Sequence, residues 1–468
     1  MKRGKGESSK TTRGVDRNRR RILAGLAAAP AAAALSSCGS DSAATSSVIA
    51  SLPDPAMSGI DHIVVVMMEN RSFDHYLGWL PGADGKQAGL SYPDVNGALQ
   101  STYPLAPEFQ SCGKQDPDHS HEGGVKQYNN GACDGFLQTS PTDTFPIGYF
   151  TQADLSFTGQ AAPAWTVYDR YFCSILAETY PNRFYMHGAQ TPQIHNDTTA
   201  ALTNPATIPT IWDRLRAAGR TGTYYFSDVP FVGLWGSTYL SIAQPYEKFL
   251  VDCALGNLPD VSYIDPAFED EGSGTSRDDH PFADIRDGQA FLSQIYNAVT
   301  SSPQWEKTAL FITYDEWGGF FDHVPPPDAG FIPPADLAAC QAENVVPFSR
   351  MGFRVPTMLI SPRARRGHVS HEQYDHCSIL KMIEWRFGLP PLTLRDAQAN
   401  NIANSFDFVS PPDLTLPTFN AVPLGPFGLP CALSSLPLGS NAAAIREKHF
   451  AEVNGLKALA RQYGFAVR

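Results

Sequence analysis

Two apolar runs that end abruptly on acids constrain this chain more than any other feature. The first, Ile63-Val64-Val65-Val66-Met67-Met68, breaks at Glu69 and Asn70, and the second, Ala309-Leu310-Phe311-Ile312-Thr313-Tyr314, breaks at Asp315 and Glu316. Apolar runs of this length without polar alternation read as strands buried on both faces, the pattern of a parallel sheet. In open α/β sheets, ligands bind just beyond the carboxyl ends of the strands. Taken singly, each run is a strand that ends in polar turn residues. Taken together, the two ends gather three carboxylates and an amide, and like charges that close call for a cation. Oxygen donors of this kind suit a hard divalent metal ion.

Further strands are predicted at 221–226, 261–264 and 357–360, with helical patterns at 204–218, 285–299 and 377–387 between them. Strands alternating with helices predict an α/β fold, a mostly parallel central sheet with helices on both faces. The 468 residues, 43% of them hydrophobic, suffice for a single such domain over 58–468. Residues 90–157 read as a long irregular stretch, 410–437 as a proline-rich surface segment, and 441–463 as a final helix.

The N-terminus reads as an address. Arg19-Arg20-Arg21, an alanine-rich apolar stretch and Leu35-Ser36-Ser37-Cys38 predict an export signal of twin-arginine and lipoprotein type over 1–37, with Cys38 as the lipidation site. A flexible tether rich in Ser, Ala and Asp follows over 38–57. The expected location is therefore periplasmic or at the cell surface, with membrane contact only through an N-terminal lipid anchor. The whole chain carries a net charge of −12, and the segment to be removed holds nine Lys/Arg against two acids. The remainder is more acidic still, which argues against nucleic-acid partners. Beyond Cys38, seven scattered cysteines without a CxxC pair argue against a zinc ribbon, and their odd number leaves at least one thiol unpaired.

Reactive side chains lie in three other stretches. Thr179-Tyr180-Pro181-Asn182-Arg183 places a hydroxyl at a helix start, where backbone N–H groups hold phosphate, and Arg183 four residues on to clamp phosphate oxygens. Near a metal that hydroxyl becomes a nucleophile toward phosphorus. His119 and His280 lie in polar loops, Asp118-His119-Ser120 and Asp279-His280-Pro281, suited to contacting phosphate or moving protons. His62, inside the first strand, reads as structural. The chain has neither HExxH nor GxSxG, against a zincin protease and an α/β-hydrolase. Thr179 stands where a sulfatase needs Cys or Ser.

These stretches, with Met68-Glu69-Asn70-Arg71-Ser72-Phe73-Asp74 and Asp315-Glu316-Trp317-Gly318-Gly319, resemble the bacterial phospholipase C and acid phosphatase family of the alkaline-phosphatase-like superfamily. The resemblance implies an alkaline-phosphatase-like fold and a divalent metal ion on Glu69, Asn70, Thr179, Asp315 and Glu316. It implies Thr179 as the nucleophile of a phospho-enzyme mechanism, and His119 and His280 as phosphate-contacting or acid/base groups. Substrates would be phosphate monoesters or phospholipid head-group diesters. Three departures stand out. Glu178 replaces the small residue or proline often found before the nucleophile, Trp317 takes the place of a frequent histidine, and the extra C-terminal β-domains of many such phospholipases are not expected here. The competing expectation is a non-catalytic metal- or solute-binding surface lipoprotein.

Overall fold

The computed structural model of the protein describes residues 51–268, 274–431 and 442–467. The expected export signal, the Cys38 lipidation site and most of the tether lie outside the described residues. Eight strands make one sheet: β1 (His62–Met68), β2 (Thr166–Tyr168), β3 (Gly222–Phe226), β4 (Ala243–Pro245), β5 (Val261–Asp265), β6 (Thr308–Tyr314), β7 (Met358–Ile360) and β8 (His368–Ser370). Their spatial order is β8-β2-β7-β6-β1-β5-β3-β4. β1 sits between β5 and β6 and is parallel to both, with Met68 level with Tyr314. β7 alone runs antiparallel to its neighbours. The fold is therefore α/β, with a mostly parallel sheet. The two runs that stop on acids are adjacent central strands, and their ends lie side by side.

The covering helices are α1 (His121–Tyr128), α2 (Thr179–Gly188), α3 (Ile211–Ala217), α4 (Tyr246–Leu255), α5 (Ile285–Thr300), α6 (His376–Phe387) and α7 (Ala442–Gln462). Side-chain alternation on the strands sorts most of them onto two faces. Tyr263 on β5 is level with Tyr224 on β3, and that face meets His187 of α2 and Trp212 of α3. The next residue of β3, Tyr225, points the other way, to Phe249 and Asp252 of α4. α5 joins α4 there through a Phe291–Tyr246 ring contact. Ile63 to Met68 and Thr308 to Tyr314 are buried throughout because both faces are covered. Each such aliphatic side chain contributes about 1.5–3 kcal/mol to burying the sheet.

Three boundaries differ from expectation for local reasons. The helix predicted from 204 begins only at Ile211, after Pro205 and Pro209, where Thr210 and Asp213 form a capping box. The stretch 90–157 contains α1, capped by Ser120, whose hydroxyl accepts from the Gly123 N–H. Its two glycines hide it from propensity, yet Gly124 is needed: a Cβ there would lie 2.9 Å from Leu176 and Trp317. β2, β4 and β8 are too short for an apolar period to show. Residues 411–431 run without regular structure and are pinned by a Cys112–Cys431 disulfide.

Buried Glu384 on α6 yields a pH prediction. Burial, then its neighbour Asp396, raise its pKa from 4.5 to about 9. The folded state thus holds this proton more tightly than the unfolded chain, so stability falls as pH rises between those two values. Glu384→Gln should raise the melting temperature at pH 8 and lose that advantage at pH 4, as read by thermal unfolding followed by circular dichroism.

Candidate active site

Four separate segments are bolted together at the ends of β1, β5 and β6. Asp315 donates its N–H to the Met68 carbonyl at 3.0 Å, extending the strand pairing to the last apolar residue. Asn70 then turns into a left-handed conformation at φ 57° and donates its N–H to Asp315 Oδ1 at 3.1 Å. Gly318, at φ 64°, passes so close that a Cβ would lie 2.2 Å from the Asn70 carbonyl. Gly319 packs the same way on Asp118, with 2.6 Å to its carbonyl. The paired glycines thus let the Asp315–Glu316 loop touch the backbones that carry Asn70 and His119. The Asp278-Asp279-His280 loop joins through Glu69 N–H to the Asp278 carbonyl (2.8 Å) and Arg71 Nε to the Asp279 carbonyl (2.7 Å).

This folding concentrates negative charge in a dry place. Glu69, Asp265, Asp315 and Glu316 are each no more than 4% exposed. Arg183, one turn beyond Thr179 on the same face of α2, reaches into them. Its guanidinium donates to Glu69 Oε1 (3.1 Å), Asp315 Oδ2 (3.3 Å), Asp265 Oδ1 (3.0 Å) and the Met67 carbonyl (3.3 Å). The side chain expected to clamp phosphate oxygens is therefore held by carboxylates of the protein itself. The reason is electrostatic: three buried acids on adjoining strand ends claim the nearest cation. Burial pushes the Glu69 and Glu316 carboxyls well above the usual range, with neighbouring acids adding to it, Asp315 in both cases. Asp315 is raised less, because Arg183 and two backbone N–H groups oppose its burial.

Thr179 is the first residue of α2, with Glu178 as its N-cap. The turn offers phosphate fewer donors than expected. The Tyr180 N–H is taken by Asn196 Oδ1 at 2.8 Å, and Pro181 has none. Thr179, Glu69, Arg183 and His280 line one narrow cleft. His119 stands behind it, with Nε2 3.4 Å from the Asn70 amide nitrogen. Nδ1 of His119 donates to the Pro117 carbonyl (2.9 Å) and Nδ1 of His280 to the Pro281 carbonyl (3.0 Å). In a neutral ring this leaves Nε2 of each as the basic nitrogen.

All the side chains singled out from the sequence thus gather in one region, apart from Cys38, which lies outside the described residues. Two further acids were not foreseen. Asp265 ends β5 one residue past the predicted strand, repeating the apolar-run-then-acid signal. Asp116, just upstream of His119, forms with His119 and His280 a buried group of metal-ligating type, their donor atoms all within 4.8 Å of one another. A divalent cation fits this chemistry. Among the described residues, Asn70 Oδ1 and Glu316 Oε1 are buried without a hydrogen-bond partner, and the Arg183 guanidinium pairs with only three of the four buried carboxylates. Three histidines further along the chain hold structure. His376 bonds the Asp315 carbonyl (2.8 Å), His323 pairs with Asp74, and His371 with Asp169. Trp317 points away from the cleft, donating to Gln127 at 2.7 Å.

The sequence matches the phosphoesterase family over residues 60–390. The chain belongs to that family. This phosphoesterase is similar to non-specific phospholipase C1 of Arabidopsis thaliana, 34% identical, with 76% of this chain and 72% of that one covered. It is also 31% identical to phospholipase C B of Mycobacterium tuberculosis strain H37Rv, covering 81% of this chain and 84% of that protein. Among solved structures, a protein of the alkaline phosphatase superfamily from Vibrio parahaemolyticus aligns over 87% of this chain and 89% of its own. That pair shares 9% identity and a TM-score of 0.36.

Removing the cation at the centre of this charge cluster should be expensive. Arg183→Met in the phosphoesterase leaves buried carboxylates uncompensated and should cost about 3–5 kcal/mol of unfolding free energy. Urea titration with metal chelated reads this directly. A loss below ~1 kcal/mol would show the acids already protonated and the ion pairs inert.

Proposed function

We propose that this phosphoesterase hydrolyses phosphoric esters, phospholipid head-group diesters foremost and phosphate monoesters as smaller substrates, through Thr179. The observation that carries this reading is the single cleft lined by Thr179, Glu69, Arg183 and His280 in a chain homologous to phospholipases C. Thr179 Oγ1 attacks phosphorus as its proton passes to a nearby histidine Nε2. The phosphorus–oxygen bond to the alcohol breaks, and the same imidazolium returns the proton to the departing oxygen. Water then cleaves the phospho-threonine and regenerates the hydroxyl. His280, which shares the cleft with Thr179, is best placed for these transfers, and His119 for contacting phosphoryl oxygens. Arg183 acts as a positioning residue that fixes the Glu69 and Asp315 carboxylates.

A divalent cation held by Glu69, Asn70, Asp315, Glu316 and the Thr179 oxygen would supply Lewis-acid stabilisation of charge on the transferring phosphoryl group. The oxygen-rich donor set suits several ions and does not single one out.

Export and lipid anchoring at Cys38 are proposed from the leader sequence. The Cys112–Cys431 disulfide supports an oxidising compartment. No described helix is long and apolar enough to cross a membrane.

Thr179→Ala should lower kcat for p-nitrophenyl phosphate and p-nitrophenylphosphocholine by about a thousandfold or more, while metal, read by inductively coupled plasma mass spectrometry, is still bound through Glu69, Asn70, Asp315 and Glu316. Near-wild-type turnover in that variant would remove Thr179 as nucleophile. Chelation should abolish wild-type activity, and one divalent ion should restore it. Metal binding without turnover on any of these esters would favour the solute-binding lipoprotein instead.

A further inference from the structure

The cleft that holds Thr179 has a second wall from far along the chain. Val453, Leu456 and Glu452 of α7 line it together with Phe231 and Phe268. α7 is keyed to the residues on either side of Thr179. Lys448 Nζ donates to Glu178 Oε1 at 3.1 Å, and the Tyr180 hydroxyl reaches the Glu452 carbonyl at 3.5 Å. Gly455 allows the close approach, since a Cβ there would lie 3.0 Å from Thr198. Lys448 also sits 3.4 Å from Glu452, so the same ammonium ties both carboxylates. Glu178, the departure noted before the nucleophile, is 3% exposed, and among the described residues Lys448 of α7 meets its Oε1.

The two walls differ in chemistry. Thr179 and His280 are polar and suit a phosphoryl group, with the Glu69–Arg183 ion pair beside them. Val453, Leu456, Phe231 and Phe268 offer phosphoryl oxygens nothing, because desolvating an anion against hydrocarbon is costly. An ester that places phosphorus at Thr179 must lay an organic group on the other wall.

We propose that α7 supplies a subsite for the organic group of the ester, a compact apolar moiety, and that the Glu178–Lys448 ion pair positions this wall beside the nucleophile. The proposal rests on the hydrolase reading for the identity of the phosphoryl end. α7 therefore governs which esters are accepted, while the strand ends govern the chemistry. The relevant residues are specificity-determining (Val453, Leu456) and positioning (Lys448, Glu178).

The test compares ligands with and without an organic group. In full-length protein, Val453→Trp fills the subsite, and Lys448→Ala, at an exposed position, loosens α7 without burying or removing an apolar contact. Lys448→Arg keeps the charge. For p-nitrophenylphosphocholine, Val453→Trp and Lys448→Ala should raise KM on the order of tenfold. The inhibition constant of inorganic phosphate should stay within about twofold, since phosphate carries no organic group to lose contacts. Lys448→Arg should restore most of the loss, and circular dichroism should show all three variants folded. Equal shifts for ester and phosphate would overturn the subsite, as would an unchanged KM in both Val453→Trp and Lys448→Ala. Should the wild type fail to hydrolyse any ester, the hydrolase reading fails by itself. The same contrast is then read by calorimetric binding of p-nitrophenylphosphocholine and of inorganic phosphate.

Discussion

Everything near the cleft depends on confining like charges. β1, β5 and β6 are neighbours in one parallel sheet, and each ends on an acid: Glu69, Asp265 and Asp315. Side by side and dry, these carboxylates repel one another unless a positive charge lies among them. Arg183 provides one, with donors to all three. The arginine sits four residues after Thr179, so satisfying the acids also fixes where α2 begins and where the hydroxyl points. A single electrostatic requirement thereby ties a distant helix to the sheet end.

Backbone geometry then decides how close the other loops come. The left-handed turn at Asn70 is the costly conformation, and it sits beside Gly318 and Gly319, which adopt positive φ without strain, where three chain segments meet. Larger residues at 318 or 319 would push apart the loops that carry Asn70 and His119. The Asn70 and Glu316 oxygens, unpartnered among the described residues, mark the space this packing leaves polar. A buried polar atom left without a partner costs free energy, and a ligand or ion that pairs with it removes that cost.

Much of this was legible in the sequence because its physics is local. A strand buried on both faces shows as an unbroken apolar run, and its functional end shows as a sudden acid. Hence Glu69, Asn70, Asp315 and Glu316 stood out, and the mostly parallel sheet followed. The same signal is present at Asp265, which lies one residue beyond the apolar run at 261–264 and belongs to β5. Three-residue strands such as β2 and β8 carry no readable period. Arg183 was seen as a group of the site, yet its engagement with carboxylates depends on segments more than a hundred residues away. The approach of α7 to Glu178 was likewise invisible, since nothing near Lys448 in the chain announces its partner.

Hydrolysis at this cleft requires Glu69, Asn70, Asp315, Glu316 and Thr179 to meet around one ion. The direct measurement is anomalous diffraction from crystals of the phosphoesterase grown with Mn²⁺ and vanadate. One strong anomalous peak is expected within bonding distance of oxygens from those five side chains, with vanadate on Thr179 Oγ1. A peak elsewhere, or vanadate bound away from Thr179 with these carboxylates held by Arg183 alone, would contradict that requirement.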